Sequence, residues 1–91
     1  MITVGNYIKV ILKKRNMTQK DLLDKMNKLK LGNDIELNKQ HLNNAINLKM
    51  TYIWARRIEI ALELPQYSLV RMVGKPTQLQ WKKIEEVKPN A

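Results

Sequence analysis

Apolar residues recur along the chain with the spacing of α-helices rather than of β-strands. Between residues 4 and 15 they fall at positions i, i+4, i+7 and i+8, which places them on one side of a helix. Similar stripes further along predict additional helices over about 18–30, 38–48, 52–64 and 66–73, and a last helix of about ten residues after Thr77. The pattern therefore predicts an all-α fold.

Residues that commonly begin or end helices stand at the predicted boundaries. A Gln three residues after Thr77 completes a capping-box pattern. Pro65 is expected to end the fourth helix or to open the fifth. Gly32 is expected to cap the second helix in a left-handed conformation. The expected N-caps are Thr18, Asn38, Thr51 and Thr77, and the other expected stops are Asn16 and Gly74.

The segment between the second and third predicted helices has the composition of a turn at residues 32–34. Apolar and polar residues alternate on both sides of this turn, a pattern that also fits a very short β-hairpin. Ile35 and Leu37 are expected to anchor the segment on the core.

Ninety-one residues fit one small domain. We expect a compact bundle of about five short helices in residues 1–74, with an enlarged loop between the second and third helices. Residues 75–91 form a tail with one short helix. Because so short a helix cannot bury Trp81 by itself, this side chain must pack on the domain or on a second chain, and we expect a homodimer.

Basic residues outnumber acidic ones by 17 to 8, which gives a net charge of +9 and predicts attraction to polyanions. Two segments, 1–20 and 37–58, contain basic residues and no acid. This segregation indicates one basic face, although a uniformly basic, solvated surface would have the same composition. The basic residues of these segments are Lys9, Lys13, Lys14, Arg15, Lys20, Lys39, Lys49, Arg56 and Arg57.

Several functional classes find no support in the sequence. The chain has no Cys, no apolar run approaching the roughly 20 residues of a membrane span, and no visible signal peptide. No nucleophile motif or phosphate-binding glycine loop is present, and His41, the single His, is expected on the exposed surface. We therefore expect a cytoplasmic protein with no enzyme activity, cofactor, metal site or small-molecule ligand.

The predicted helix 38–48 carries amide side chains on its outer side and contains no carboxylate. Asn is a mediocre helix former, so several Asn residues on one short helix lower its helix propensity, and a function is one explanation for their presence. Amides combine donors and acceptors, which suits them to the edges of DNA bases. The alternative is a solvated polar surface, and Asn43 and Asn47 fit either interpretation. Leu42, Ala45 and Ile46 form the expected buried seam, and the candidates for base contact are Lys39, Gln40, Asn43 and Asn44.

Phosphate contacts are expected at the beginning of the second helix, where free N–H groups and the helix dipole favour an anion. Thr18 and Gln19 lie there, although Thr18 would cap the helix in either case. Lys49, Arg56 and Arg57 are candidate phosphate partners, with ordinary surface charge as the alternative.

The segment Thr-Gln-Lys-Asp-Leu-Leu-Asp-Lys-Met at 18–26, the helix beginning at Asn38 and the apolar positions of 58–70 together resemble the phage repressor and Cro-like helix-turn-helix family. The resemblance spans roughly residues 7–74. It implies that helix 38–48 enters the major groove while the preceding helix crosses the DNA backbone. By position, it implies base contacts for Lys39, Gln40 and Asn44, and backbone contacts for Gln19, Lys49 and Thr51.

The sequence departs from the family pattern at four places. Leu23 stands where a small residue is usual, and Asn27 stands where a tight turn usually has Gly. About ten residues, 27–36, are additional, and they form either a wing that reaches DNA or a longer connection. Glu59 stands where Ala is usual.

These features favour a sequence-specific, double-stranded DNA-binding transcriptional regulator, active as a homodimer on a two-fold operator. The resemblance implies a phage or mobile-element origin and a bacterial or phage-infected cell. The alternative is a protein-interaction module on the same scaffold, such as an antitoxin or a phage-encoded binder of a host factor, which the enlarged loop and the tail would suit. A third possibility is nonspecific binding of nucleic acid, including RNA, although few aromatic residues are available for stacking.

Overall fold

All regular structure in residues 3–32 and 35–89, the part of the chain that the computed structural model describes, is α-helical. These ranges contain six helices and no strand, which confirms the predicted all-α class. The turn of the alternative hairpin, at residues 33 and 34, lies outside the described residues. The helices are α1 (Val4–Lys14), α2 (Gln19–Lys28), α3 (Lys39–Asn47), α4 (Tyr52–Leu62), α5 (Ser68–Val73) and α6 (Gln78–Glu85).

Five of these helices begin with a side-chain oxygen that accepts a hydrogen bond from the backbone N–H three residues later. Such a cap contributes about 1 kcal/mol, because it satisfies an N–H that the helix itself leaves without a partner. The capping boxes of α2 and α6 are complete. Four of the five caps confirm the predictions: Thr18, Asn38, Thr51 and Thr77. The cap of α1, Thr3, was not predicted.

The helix C-termini follow the predictions less closely. Asn16 takes the left-handed conformation after α1 (φ 55°), as expected for a stop. After α2, however, Lys30 takes this conformation (φ 55°), so the prediction of a left-handed Gly32 is wrong. Gly32 is needed for space instead, because a Cβ at this position would lie 2.5 Å from the carbonyl oxygen of Ile35. Gly74 ends α5 as predicted.

The segment between α2 and α3 is fixed at both ends. The Asn27 side chain accepts a hydrogen bond from the Leu37 N–H (2.8 Å) and donates one to the Leu37 carbonyl oxygen (2.9 Å). Leu37, one of the two expected anchors, is buried, and so is Leu31. Ile35, the other expected anchor, is 75% exposed, so that prediction is wrong. The alternation of apolar and polar residues around Ile35 does not reflect a strand, because the described part of this segment contains none.

Helix α4 lies at the centre of the domain, where it packs against α2, α5 and α6, while α1 and α2 each pack against α3. The tail helix belongs to the same core, since Ile84 is fully buried. Trp81 packs edge-to-face on Tyr67 with 4.9 Å between ring centroids, so it packs on its own domain. The largest fully buried apolar side chains are Ile8, Leu22, Met26, Leu42, Ile58, Leu62, Leu69 and Ile84.

A buried carboxylate fixes α5 against α4. Glu59 has no exposed surface, and its two oxygens accept hydrogen bonds from the backbone N–H groups of Tyr67, Leu69 and Val70, each at 2.8 Å. Arg56 donates to the same carboxylate at 3.0 Å. Glu59 therefore supplies the side-chain cap that α5 lacks at its own first position. This role explains a charged residue where the resemblance leads one to expect Ala.

Candidate nucleic-acid interface

Helix α3 presents to solvent the polar surface that the sequence predicts. Leu42, Ala45 and Ile46 are buried, which fixes the rotation of the helix about its axis. Asn44 is half-buried, and the other polar residues of the helix are exposed: Lys39, Gln40, His41, Asn43 and Asn47.

Helix α1 lies unusually close to α3. A Cβ added to Gly5 would lie 1.9 Å from the carbonyl oxygen of Ile46, so only glycine permits this approach. One turn further along α1, Lys9 Nζ donates a hydrogen bond to the side-chain oxygen of Asn47. The contact places a cation beside the amide surface. The charge pattern of the sequence identifies Lys9 only as part of the basic surface. The spacing of four residues between Gly5 and Lys9, which puts both on one side of α1, is the signal that places Lys9 near α3.

The amides of α3 form two pairs, each between residues four apart. Gln40 Nε2 donates to Asn44 Oδ1 at 3.1 Å. Asn47 Nδ2 donates to Asn43 Oδ1 at 2.7 Å and to the Asn43 carbonyl oxygen at 3.1 Å. A side-chain amide has two donor hydrogens and two acceptor lone pairs, so one such bond orients the group without using all of its capacity. The structure therefore brings Gln40 and Asn44 together, and Asn43 with Asn47.

The N-terminus of α2, a predicted phosphate site, already holds a carboxylate. Thr18 N–H donates to Asp21 at 2.9 Å, and the Thr18 hydroxyl accepts from the Asp21 N–H. Hydrogen bonds from the Thr18 backbone and then from its side chain lower the pKa of Asp21 below its ordinary value of 3.8. Thr18 acts as the cap, and a phosphate here would instead meet the half-buried Gln19 and the exposed Lys20.

The segment after α3 contains two further predicted backbone contacts. Lys49 is exposed directly after the helix. Thr51 is exposed as well, and its hydroxyl caps α4 by accepting a hydrogen bond from the Trp54 N–H at 3.3 Å. Both residues lie at the C-terminal end of the amide surface, as contacts with the DNA backbone beside it would require.

The two arginines of α4, which are predicted phosphate partners, both make contacts within the domain. Arg56 is bound to Glu59, and its guanidinium carbon lies 4.7 Å from the Tyr67 ring centroid. Its side chain is only 16% exposed. The Arg57 guanidinium carbon lies 5.1 Å from the Trp54 ring centroid, and burial lowers the pKa of Arg57. The structure thus gives Arg56 a role inside the domain and leaves Arg57 half-buried on an aromatic ring.

An apolar groove of about 320 Å³ lies between the ends of α1, α3 and α5. Two of its lining side chains are unusually exposed for apolar residues, Leu48 at 79% and Met72 at 41%. The groove also includes Asn47 and Lys49, so it is continuous with the C-terminal end of the amide surface.

None of the helices in residues 3–32 and 35–89 combines the length and apolarity needed to cross a bilayer. Within the described part of the chain, no three His, Asp or Glu side chains converge as a metal site would require. Comparison with protein-family models, with curated proteins and with solved structures found no match to this chain.

Proposed function

We propose that this protein is a sequence-specific, double-stranded DNA-binding regulator of the phage repressor and Cro type, with α3 as its recognition helix. The observation that carries the proposal is the exposed surface of α3, where two hydrogen-bonded amide pairs lie beside Lys9 and Lys39. The buried seam of the helix and the close approach of α1 fix this surface relative to the core.

The size and chemistry of this surface suit the major groove. The groove is about 12 Å wide and admits one α-helix, and each base pair presents a distinct pattern of donors and acceptors there. Gln40 and Asn44 lie one turn apart, so they would contact neighbouring base pairs. A well-formed bidentate contact discriminates by about 1–3 kcal/mol against the wrong base, which is roughly fivefold to a hundredfold or more in affinity.

The charge distribution supports a polyanionic partner. The net charge is +9, and the segment 37–58, which contains α3, has no acidic residue. Each phosphate that a Lys or Arg neutralises adds about 0.9 to the slope of log K against log salt. Lys9, Lys39 and Lys49 are exposed beside or on α3 and are the first candidates for these contacts, with Gln19 and Thr51 as neutral ones.

The proposal includes a homodimer on a two-fold operator. One recognition helix contacts only a few base pairs, and helix-turn-helix proteins commonly double this by binding two half-sites one helical turn apart. Leu79, 65% exposed on α6, is an apolar residue of the tail that is available for a contact with a second copy.

Selection of binding sites from random duplex DNA, carried out at two salt concentrations, tests the proposal. The wild-type protein is expected to select a two-fold symmetric sequence. The double variant Gln40→Ala/Asn44→Ala is expected to lose preference at the bases it contacts while retaining salt-dependent nonspecific binding. The matched control is Gln66→Ala/Gln78→Ala, which removes two exposed amides outside α3 and should select the wild-type sequence. Selection that is unchanged by loss of Gln40 and Asn44 would refute the assignment.

A second candidate function, a protein-interaction module, is favoured by the exposed Leu48 beside the apolar groove. Lys49 at the edge of the groove and the net charge of +9 suit an acidic protein with apolar side chains. This candidate would replace the first if Leu48→Ser abolished binding of one stoichiometric protein partner and the wild-type protein selected no DNA sequence at either salt concentration.

A further inference from the structure

Three side chains form a continuous hydrogen-bonded chain across the α1–α3 contact. Lys9 Nζ donates to Asn47 Oδ1, and Asn47 Nδ2 donates to Asn43 Oδ1. Asn47 Nδ2 also donates to the carbonyl oxygen of Asn43. The chain begins at a cation on α1 and ends at an exposed amide in the middle of the proposed recognition surface.

The chemistry of lysine fixes the direction of every bond in this chain. An ammonium group has three donors and no acceptor, so the atom of Asn47 that faces it must be the oxygen. The other end of the Asn47 amide, which faces Asn43, must then be the nitrogen. Because that nitrogen is a donor, Asn43 must turn its own oxygen toward Asn47. The Asn43 carbonyl oxygen, which can only accept, favours the same orientation.

Asn43 therefore keeps both donor hydrogens of its Nδ2 group for a ligand, whereas Asn47 already occupies one of the two lone pairs on its Oδ1. An unconstrained Asn reads adenine by accepting from N6 and donating to N7. With its oxygen turned toward Asn47 and both donor hydrogens free, Asn43 is better matched to a base edge with two adjacent acceptors. In the major groove this edge belongs to guanine, through O6 and N7.

We propose that Lys9 sets the base preference of Asn43, through Asn47, so that Asn43 selects guanine over adenine. The inference rests on the proposed DNA-binding function. In this arrangement Asn47 and Lys9 are positioning residues, because they act through Asn43 rather than on the base. The Gln40–Asn44 bond joins two amides with no cation in the bond, so it fixes their relative but not their absolute polarity.

Site selection with four proteins tests the inference. Asn43→Ala identifies the base pair that Asn43 contacts, since preference is lost there. At that position the wild-type protein is expected to favour guanine over adenine by at least about fivefold. Lys9→Met removes one of the two groups that orient the Asn47 amide and leaves only the Asn43 carbonyl oxygen, so this preference should fall to within about twofold. Lys9→Arg, which also only donates, should preserve it.

The control is Lys13→Met, which removes an equally exposed cation from the same helix. Both Met variants should lose affinity at low salt, the Lys9 variant at least as much as the Lys13 variant, but only the Lys9 variant should change the base preference. Adenine preference in the wild type, or guanine preference that survives Lys9→Met, would overturn the inference and leave the proposed function standing. Absence of any selected sequence with the wild-type protein would overturn both.

Discussion

Replacing Glu59 by Gln changes one oxygen of a buried side chain into an NH₂ group and little else in shape. In the native structure one carboxylate oxygen accepts from Arg56 and from the Tyr67 N–H, and the other accepts from the N–H groups of Leu69 and Val70. All four partners are donors. In either orientation of the Gln side chain, its NH₂ group, which is itself a donor, takes the place of an oxygen that accepts from two donors. Two hydrogen bonds are therefore lost.

The size of the effect follows from the number and kind of bonds. A hydrogen bond to a charged group contributes about 1.5–3 kcal/mol, so losing two lowers the free energy of unfolding by about 3–6 kcal/mol. A domain of 91 residues has a total stability of about 5–14 kcal/mol. Since 1 kcal/mol corresponds to about 4–8 °C for a domain of this size, Glu59→Gln is expected to lower Tm by at least about 12 °C.

Thermal unfolding followed by circular dichroism, with urea unfolding as a second measurement, gives this value. Glu63→Gln is the matched control, because Glu63 is exposed just after the same helix and should change stability by only a few tenths of a kcal/mol. Arg56→Met should cost less than Glu59→Gln, since it leaves the three backbone bonds to Glu59 in place. A decrease in Tm below about 5 °C for Glu59→Gln would refute this account of how α5 is held.

Three further predictions concern other parts of the molecule. Gly5→Ala should lower Tm, because the added Cβ would lie 1.9 Å from the Ile46 carbonyl oxygen. This clash should outweigh the greater helix propensity of Ala, which is worth about 1 kcal/mol. A higher Tm would contradict the close packing of α1 on α3. The pKa of Asp21 is depressed, so its ionised form stabilises the fold above pH 3.8. The stability difference between wild type and Asp21→Asn should therefore disappear as pH falls from 3.8 through the lower pKa of the folded state. A difference that stays constant over this range would contradict the role of the Asp21 carboxylate in the cap. Leu79→Gln should shift the mass measured by light scattering from dimer to monomer while the circular dichroism spectrum stays that of the folded helices, whereas an unchanged dimer would place the two-fold contact elsewhere.

The helices and most of their caps were predictable because the signals are local. A Thr or Asn followed by an apolar stripe identifies a helix start within a few residues, and Thr18, Asn38, Thr51 and Thr77 all cap as expected. The buried seam of α3 follows from its period, which also determines the polar residues that reach the surface. Hence the predicted amide surface is present in the structure, while its contact with DNA stays a prediction.

Other features depend on contacts that no local pattern encodes. The bond between Lys9 and Asn47 joins residues 38 positions apart, and it forms only because α1 approaches α3 closely. Glu59 looked like a departure from a family pattern, and only the position of α5 shows that it caps that helix. Ile35 was misplaced because alternation in a loop does not imply the two-residue period of a strand. For Lys9 and Glu59 the missing information was the distance between two elements.

The Asn residues of α3 make sense only when the helix is considered together with α1. Asn lowers helix propensity, and an isolated helix of nine residues would be marginal even with better residues. Gly5, also a poor helix former, is unfavourable within α1 for the same reason. Both local penalties serve one arrangement, because the missing Cβ of Gly5 lets α1 approach α3, and this approach brings Lys9 within hydrogen-bond distance of Asn47. Residues that weaken α1 and α3 as isolated helices thus orient the exposed amides of Asn43 and Asn47 when the two helices pack together. This arrangement supports a binding role for the exposed surface of α3, because solubility alone would not require oriented amides.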